Sequence, residues 1–320
     1  MAILQRGIAV PCFAENPMEL ARLGIDAERA GFDGFFLWDH IVFSDTGEGP
    51  PIVDPWLVLA VVAASTTRIR LGTMITPLPR RRPWQLARET TTLDRLSNGR
   101  LILGVGIGSP GYGDFGIFHE PQGERARAEL LDEGLAVLAG LWSGERFSYQ
   151  GKHFTLDPVR FRPTPVQRPR VPVWVGGVLP ARKPIARAAR WDGMVPIRFA
   201  GGGLIRPSAR DIADVGARIT AARALAGGSP AAMAAGPAAD AARTAGGPAA
   251  GAAASAMPDA PDRPASDFDL VVWAEVADVP AQVHQIALPY QASGATWWIE
   301  TAKPEPRWWE GVQERVASGV

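Results

Sequence analysis

The segment from Arg68 to Gly108 constrains the fold more than any other part of the chain. It predicts a strand over Ile69–Ile75, a helix over Pro83–Leu96 and a strand over Arg100–Gly106. Both strands are continuous apolar runs, which is typical of a parallel sheet buried on both faces. Both also end in small or polar residues, at the strand ends where a parallel barrel carries its chemistry. This strand–helix–strand unit therefore indicates both a fold class and the location of a site.

The remaining sequence repeats the alternation of strand and helix. Further strands are predicted at Gly7–Phe13, Phe35–Trp38, Val171–Val175, Gly193–Ile197, Phe268–Trp273 and Ala295–Ile299. Further helices are predicted at Pro17–Ala30, Pro55–Ser65, Glu124–Leu141, Ala181–Arg190, Asp211–Leu225, Pro280–Tyr290 and Pro306–Val316, with Asn16 and Asp54 as N-caps of the first two. A small hairpin is predicted around Gln150–Gly151.

Eight strands, each followed by a helix, predict an α/β fold of the (β/α)₈ TIM-barrel type. A doubly wound sheet is the alternative, but no GxGxxG follows the first strand. We expect residues 1–320 to form a single barrel domain. An Ala/Gly/Pro-rich insertion at residues 226–266 interrupts it between helix 6 and strand 7, and its composition predicts a flexible, dispensable segment.

The composition excludes several functional classes. Lys+Arg and Asp+Glu are both 33, which gives no support for nucleic-acid binding. The single cysteine, Cys12, cannot form an internal disulfide and suits a reducing compartment. The sequence has no signal-peptide pattern and no apolar run of membrane-spanning length, so we expect a cytoplasmic protein without a membrane partner. No HxxxH motif or other metal-ligand spacing occurs, and no metal site is predicted.

His40 is the main catalytic candidate because it follows Trp38–Asp39 at the end of the second predicted strand. An imidazole at a barrel mouth can donate a hydrogen bond or move a proton near neutral pH. The alternative is a local hydrogen-bonded turn formed by Asp39 and His40. Two strand ends are candidate ligand supports: a bulge at Gly72–Met74, and the paired Gly176–Gly177, where backbone N–H groups could approach a phosphate. A plain buried strand and a flexible turn are the respective alternatives.

Several of these segments together resemble the bacterial luciferase-like flavin-dependent oxidoreductases. The resemblance rests on WDH at Trp38–His40, DPW at Asp54–Trp56, the Arg68–Gly108 segment, VPVWVGG at Val171–Gly177 and ARWDG at Ala189–Gly193. It implies a barrel that binds FMN or the deazaflavin F420 at its C-terminal mouth. The implied catalytic residues, facing the ring and the substrate, are Asp39 and His40. The implied cofactor-binding residues are Thr73 and Met74 at a bulge behind the ring, often with a non-prolyl cis peptide, Gly106 and Ser109 bordering the ring, and Gly176 and Gly177 at the phosphate.

The resemblance leaves more than one activity open. The first expectation is a two-component monooxygenase that uses reduced FMN, supplied by a separate flavin reductase, and O₂ on a small organic substrate. The alternative is an F420-dependent reductase or dehydrogenase that transfers a hydride. A catalytically silent flavin-binding barrel is a second alternative. Ser109 stands where the F420-dependent sugar-phosphate dehydrogenases of this family have a glutamate acid, which argues against that specific activity.

The resemblance also favours a homodimer packed through the second and third helices, Pro55–Ser65 and Pro83–Leu96. Aromatic residues near the predicted mouth suggest a hydrophobic or aromatic substrate. These aromatic candidates are Trp38, Phe43, Tyr112, Phe115, Trp297 and Trp298. Trp297 and Trp298 are adjacent on a strand, so one is expected to face the barrel interior and the other the helix layer.

Overall fold

A computed structural model of the chain describes residues 4–200, 203–225, 268–275, 283–302 and 307–319. The predicted insertion at residues 226–266 lies outside the described residues. The strands are β1 (Gln5–Val10), β2 (Gly34–Leu37), β3 (Arg70–Pro77), β4 (Leu101–Gly106), β5 (Arg146–Gln150), β6 (Thr155–Arg160), β7 (Val173–Val178), β8 (Gly193–Ala200), β9 (Gly203–Ile205), β10 (Asp269–Glu275) and β11 (Trp297–Thr301). The helices are α1 (Pro17–Arg29), α2 (Pro55–Ser65), α3 (Pro83–Leu96), α4 (Glu124–Trp142), α5 (Arg182–Ala188), α6 (Ala209–Leu225), α7 (Val283–Ala292) and α8 (Trp308–Ala317).

The strands β1, β2, β3, β4, β7, β8, β10 and β11 form a closed parallel barrel. Their order is β10-β11-β1-β2-β3-β4-β7-β8, and the pairing of β10 with β8 closes the ring. Neighbouring strands are parallel throughout this ring. The (β/α)₈ barrel predicted from the sequence is therefore confirmed, and the C-terminal strand ends share one mouth.

Alternating side chains fill two separate apolar layers, one inside the barrel and one between the barrel and its helices. The interior cluster consists of Ala9, Phe36, Ile102, Trp174, Val195, Val271, Trp273, Trp297 and Ile299. The outer cluster contains the intervening residues, such as Phe35, Leu37 and Trp298. Because successive strand residues point to opposite faces, Trp297 lies inside and Trp298 outside, as predicted. The interior is thus packed with large rings below the mouth.

The strands β3 and β4 approach each other closely because glycine occupies one position on each. A Cβ atom at Gly72 would lie 1.8 Å from the carbonyl oxygen of Ile102, and one at Gly104 would lie 2.3 Å from that of Thr73. Since the obstructing atoms belong to the backbone, a side chain at either position would push the strands apart. The glycines therefore allow the local geometry at the end of β3.

The helix starts follow the predicted capping residues. Asn16 accepts a hydrogen bond from the backbone of Met18 ahead of α1, and Asp54 accepts one from Leu57 ahead of α2. A proline follows each cap at the first helical position, where its missing N–H costs nothing. These caps set the observed starts of both helices.

Two antiparallel hairpins are added to the barrel. The predicted hairpin around Gln150–Gly151 is present as β5 and β6. The sequence analysis missed the other: β8 continues past Ile197 to Ala200, and β9 folds back against it. Its strand β9 is only three residues long, too short for a recognisable periodic pattern. No helix in the described ranges is both long enough and apolar enough to cross a membrane.

Candidate active site at the mouth of the barrel

His40 lies just beyond β2 and is paired with an acid from a different loop. Its Nδ1 is 2.6 Å from Oδ2 of Asp114, which follows β4. The other carboxylate oxygen of Asp114 accepts hydrogen bonds from the backbone N–H groups of Ile41, at 2.7 Å, and Val42, at 3.2 Å. One carboxylate therefore holds both the imidazole and the loop that carries it.

The electrostatics of Asp114 determine which nitrogen of His40 carries a proton. Burial alone would raise the pKa of Asp114, but the hydrogen bond and charge of His40 and the Ile41 N–H outweigh it and lower the pKa. Asp114 is then ionised at neutral pH and can only accept a hydrogen bond, so Nδ1 of His40 is the protonated nitrogen. The ring remains 19% exposed. Its Nε2 is therefore the nitrogen left for exchanging a proton with a substrate.

Aromatic side chains surround the imidazole on one side. The rings of Phe43 and Tyr112 stack with centroids 4.6 Å apart and an interplanar angle of 13°. His40 meets both edge-on, at 5.1 Å from Phe43 and 5.5 Å from Tyr112. Phe13 lies 5.0 Å from Phe43, and Trp38 lies 6.2 Å from His40. We call Phe13, Trp38, Phe43 and Tyr112 the aromatic wall.

Asp39, the residue before His40, is held in an ion cluster. Its side chain is 1% exposed and accepts hydrogen bonds from Arg80 at 2.9 Å, Arg81 at 2.9 and 3.1 Å, and Thr76 at 2.8 Å. Burial alone would raise the pKa of Asp39, but the two guanidinium groups outweigh it and lower the pKa. The carboxylate is thus ionised and fully engaged. This arrangement joins the end of β2 to the 3₁₀ turn Leu78–Arg80 that follows β3, and a direct role for Asp39 in chemistry stays a prediction.

The predicted bulge is present at the end of β3. Thr73 pairs with Leu103 and Thr76 with Val105, so β3 has one residue more than β4 across this interval. The peptide between Met74 and Ile75 is cis. Both residues are half-buried, and Met74 packs against the interior cluster. The bulge therefore presents backbone and two apolar side chains at the mouth, while contact of Thr73 and Met74 with a cofactor stays a prediction.

The neighbouring end of β4 has small residues. Gly106 is buried, and the nearest atom to a Cβ placed there would be Ile75 Cγ2 at 3.6 Å. Ser109 is exposed, and its hydroxyl accepts a hydrogen bond from Gly111 at 3.4 Å, which caps the 3₁₀ turn Pro110–Tyr112. Ser109 thus serves the loop locally, and its cofactor contact stays a prediction.

Gly176 and Gly177 differ from the expected turn. Both lie within β7, paired with Val195 and Pro196 of β8, and the strand continues to Val178. A Cβ at Gly176 would lie 2.1 Å from the end of the Ile75 side chain, and one at Gly177 would lie 2.4 Å from Pro184 Cβ. Gly176 therefore makes room for the bulge and Gly177 for α5. Their binding of a phosphate is not tested by these contacts and stays a prediction.

Arg127, near the start of α4, is a candidate that the sequence analysis missed. It is 5% exposed, and its guanidinium carbon lies 5.1 Å from the ring centroid of Phe115. Phe115 in turn packs against Gly108 after β4, where an added Cβ would lie 2.5 Å from the ring. The Nε and Nη1 atoms of Arg127 are buried without a hydrogen-bond partner among the described residues. Burial lowers the pKa of Arg127. A buried cation with unused donors fits an anionic group.

The structure brings some predicted residues together and separates others. Among the aromatic candidates, Trp38, Phe43 and Tyr112 surround His40, whereas Phe115 packs beneath Arg127 and Trp297 lies in the interior cluster. The missed residues are Asp114, Arg80, Arg81 and Arg127. An acid or arginine just beyond a predicted strand end is the signal that could have indicated the first three.

Comparison with known proteins assigns the chain to a family. The profile of luciferase-like monooxygenases matches residues 5–313, which is almost the whole chain. The chain belongs to the luciferase-like monooxygenase family. In this family assignment the fold, the bulge and the mouth site agree with the resemblance seen in the sequence, and an oxidoreductase is the class of enzyme that the comparisons support.

Two curated relatives of this luciferase-like chain are F420-dependent dehydrogenases. An F420-dependent glucose-6-phosphate dehydrogenase from Nakamurella multipartita is 35% identical over 174 residues, 53% of this chain and 50% of the relative. An F420-dependent hydroxymycolic acid dehydrogenase from Mycobacterium tuberculosis is 34% identical over 157 residues, 47% of this chain and 42% of the relative. The matched segment thus spans half or less of these relatives' length.

A solved structure shows the same fold over the full length. The F420-dependent tetrahydromethanopterin reductase from Methanopyrus kandleri superposes with a TM-score of 0.66 at 15% identity, covering 99% of both chains. At this identity the similarity concerns the fold alone.

Proposed function

We propose that this luciferase-like chain is an F420-dependent oxidoreductase in which His40 exchanges the proton that accompanies hydride transfer. The observation that carries the proposal is the His40–Asp114 pair, which leaves Nε2 available at the barrel mouth beside the β3 bulge. The two curated relatives, both F420-dependent, support F420 over reduced FMN. The first expectation from the sequence, an FMN monooxygenase, therefore gives way to its alternative.

The residues at the mouth fit a flat cofactor with a phosphate group. Met74 and Ile75 at the bulge, with Gly106 beside them, would support one face of the ring because they present apolar atoms and backbone. The unpartnered Nε and Nη1 atoms of Arg127 would donate hydrogen bonds to the phosphate. When bound, F420 supplies hydride chemistry without activating O₂.

His40 would handle the proton in either direction of the reaction. When a substrate alcohol is oxidised, its carbon loses a hydride to F420 and its hydroxyl proton passes to Nε2. When a carbonyl group is reduced, the hydride comes from reduced F420 and Nε2 returns the proton to the oxygen. Asp114 keeps Nδ1 protonated throughout and stabilises the doubly protonated ring. Asp39 would act as a positioning residue that fixes the backbone before His40.

A paired substitution tests the role of His40. The purified protein would be assayed with oxidised and reduced F420 against a panel of alcohols and carbonyl compounds, following the absorbance of the deazaflavin. We expect His40→Asn to lose about 10²–10⁴-fold in kcat, the contribution typical of a general acid or base, with F420 affinity retained. His153→Asn is the control, because His153 lies in the turn between β5 and β6, where it contacts Glu129. Equal turnover by His40→Asn and the wild type would contradict the proposal.

A further inference from the structure

We infer that the substrate of this site is an uncharged, apolar or aromatic molecule and not a sugar phosphate. The inference rests on the proposed function, since it names the substrate class of the same site. The observations that carry it are the composition of the surface around His40 and the engagement of the charges next to it.

The surface nearest His40 consists of ring faces and edges. Phe43 and Tyr112 form a stacked pair against the imidazole, and Phe13 and Trp38 extend the aromatic wall behind them. Such rings offer dispersion contacts to flat or aliphatic groups, but apart from one hydroxyl and one indole N–H they offer few hydrogen bonds. A polyhydroxylated sugar would lose its hydration at this wall with little compensation.

The apolar surface continues outward from the wall. Ile41, Tyr112, Ile117 and Phe118 are all exposed, on the two loops that follow β2 and β4. These loops are joined, because Ser44 donates its N–H to the carbonyl oxygen of Tyr112 and Asp114 binds the backbone of Ile41. Exposed apolar groups clustered at the entrance of a site are typical of a binding surface for an apolar ligand.

The charges beside His40 are already engaged. Asp114 is bound to His40 and to two backbone N–H groups. Arg80 and Arg81, the cations in contact with the residue before His40, both bind Asp39. Releasing either arginine to a phosphate dianion would leave Asp39 buried without that partner, which is costly. The buried donors of Arg127 fit the phosphate of the cofactor instead.

The test measures binding of an uncharged aromatic probe, so that it does not depend on turnover. The fluorophore Prodan would be titrated with the protein in the presence and absence of F420, and its emission followed. We expect saturable binding that glucose 6-phosphate does not displace. Tyr112→Ala should weaken it about tenfold by removing a stacking face. Tyr112→Phe should restore most of the loss, because it restores the ring.

Matched controls separate the possible results. Val159 is 39% exposed, as is Tyr112, but lies on β6 of the hairpin, so Val159→Ala should bind Prodan like the wild type. Absence of saturable Prodan binding, displacement by glucose 6-phosphate, or equal weakening by Val159→Ala would overturn the inference. Prodan binding without F420 binding would instead overturn the proposed cofactor and leave the apolar site standing. F420 binding with turnover of glucose 6-phosphate would uphold the cofactor and overturn the substrate class.

Discussion

Nδ1 of His40 lies 2.6 Å from Oδ2 of Asp114, although 74 residues separate them in the chain. The barrel produces this contact because β2 and β4 end at the same mouth, on either side of β3. The second oxygen of Asp114 holds the loop after His40 through two backbone N–H groups. The pair therefore fixes both the protonation of the ring and its position.

Asp114→Asn tests this coupling. An amide has one acceptor oxygen, so either His40 Nδ1–H or the loop N–H groups must face an NH₂ donor. We expect activity to fall by about 10–100-fold, as is typical when a group that orients a catalytic histidine is removed. F420 affinity, measured by titration, should stay close to that of the wild type. Full activity in Asp114→Asn would show that the carboxylate does not position His40.

Asp39→Asn should act on stability. Arg80 is almost fully buried beside Asp39, and removing one partner of a buried ion pair costs about 3–5 kcal/mol. Urea unfolding at neutral pH should therefore show a free energy of unfolding lower by about this amount. A change within about 0.5 kcal/mol, typical of surface substitutions, would contradict the cluster's structural role.

The same carboxylate predicts a pH dependence. The pKa of Asp39 is lowered from its ordinary value of 3.8. A lowered pKa in the folded state contributes stability that is complete above the unfolded pKa and is lost as pH falls through the folded pKa. The stability difference between the wild type and Asp39→Asn should thus be constant from pH 7 to about pH 5 and narrow below about pH 4. A difference that widens on acidification would contradict this sign.

Arg127→Met separates ligand binding from stability. Hydrogen bonds to a charged group contribute about 1.5–3 kcal/mol, so the affinity for a phosphate-bearing cofactor should fall about 10- to 100-fold. The melting temperature should stay unchanged or rise, because the substitution removes buried donors that have no partner in the described structure. Arg88→Met, which removes an exposed arginine stacked on Phe161, is the control for both readouts. A lowered melting temperature with unchanged affinity would assign Arg127 a structural role.

Gly104→Ala tests the close approach of β3 and β4. The added Cβ would lie 2.3 Å from the backbone oxygen of Thr73, which cannot move without displacing the bulge. We expect a loss of about 1–3 kcal/mol in the free energy of unfolding, typical of overpacking. Gly311→Ala in α8 meets no atom within 4 Å and should be neutral or stabilising, because alanine favours a helix. Equal effects of the two substitutions in thermal melts would contradict the packing argument.

The sequence predicted the fold well because its signals are local. The observed bounds of α2 and α3 are those predicted, Pro55–Ser65 and Pro83–Leu96, since proline at the first position fixes each start. His40 could be found because a polar residue directly follows a short apolar strand. These features need only the neighbouring residues to be recognised.

The rest of the site depends on contacts between distant segments. Asp114 and Arg127 have no local pattern that distinguishes them from surface residues, and their roles arise only when the loop after β4 folds against β2 and α4. Gly176 likewise appeared to end a strand, whereas its lack of a side chain accommodates Ile75 from β3. Such complementarity between strands is not encoded in spacing.

The most direct test of the central claim is an equilibrium titration of the purified protein with F420, FMN and reduced FMN, followed by fluorescence or absorbance. The account predicts tight binding of F420, weaker binding of both forms of FMN, and weakened F420 binding in Arg127→Met. Tight binding of reduced FMN with weak F420 binding would contradict hydride transfer through F420 and restore the monooxygenase as the working function.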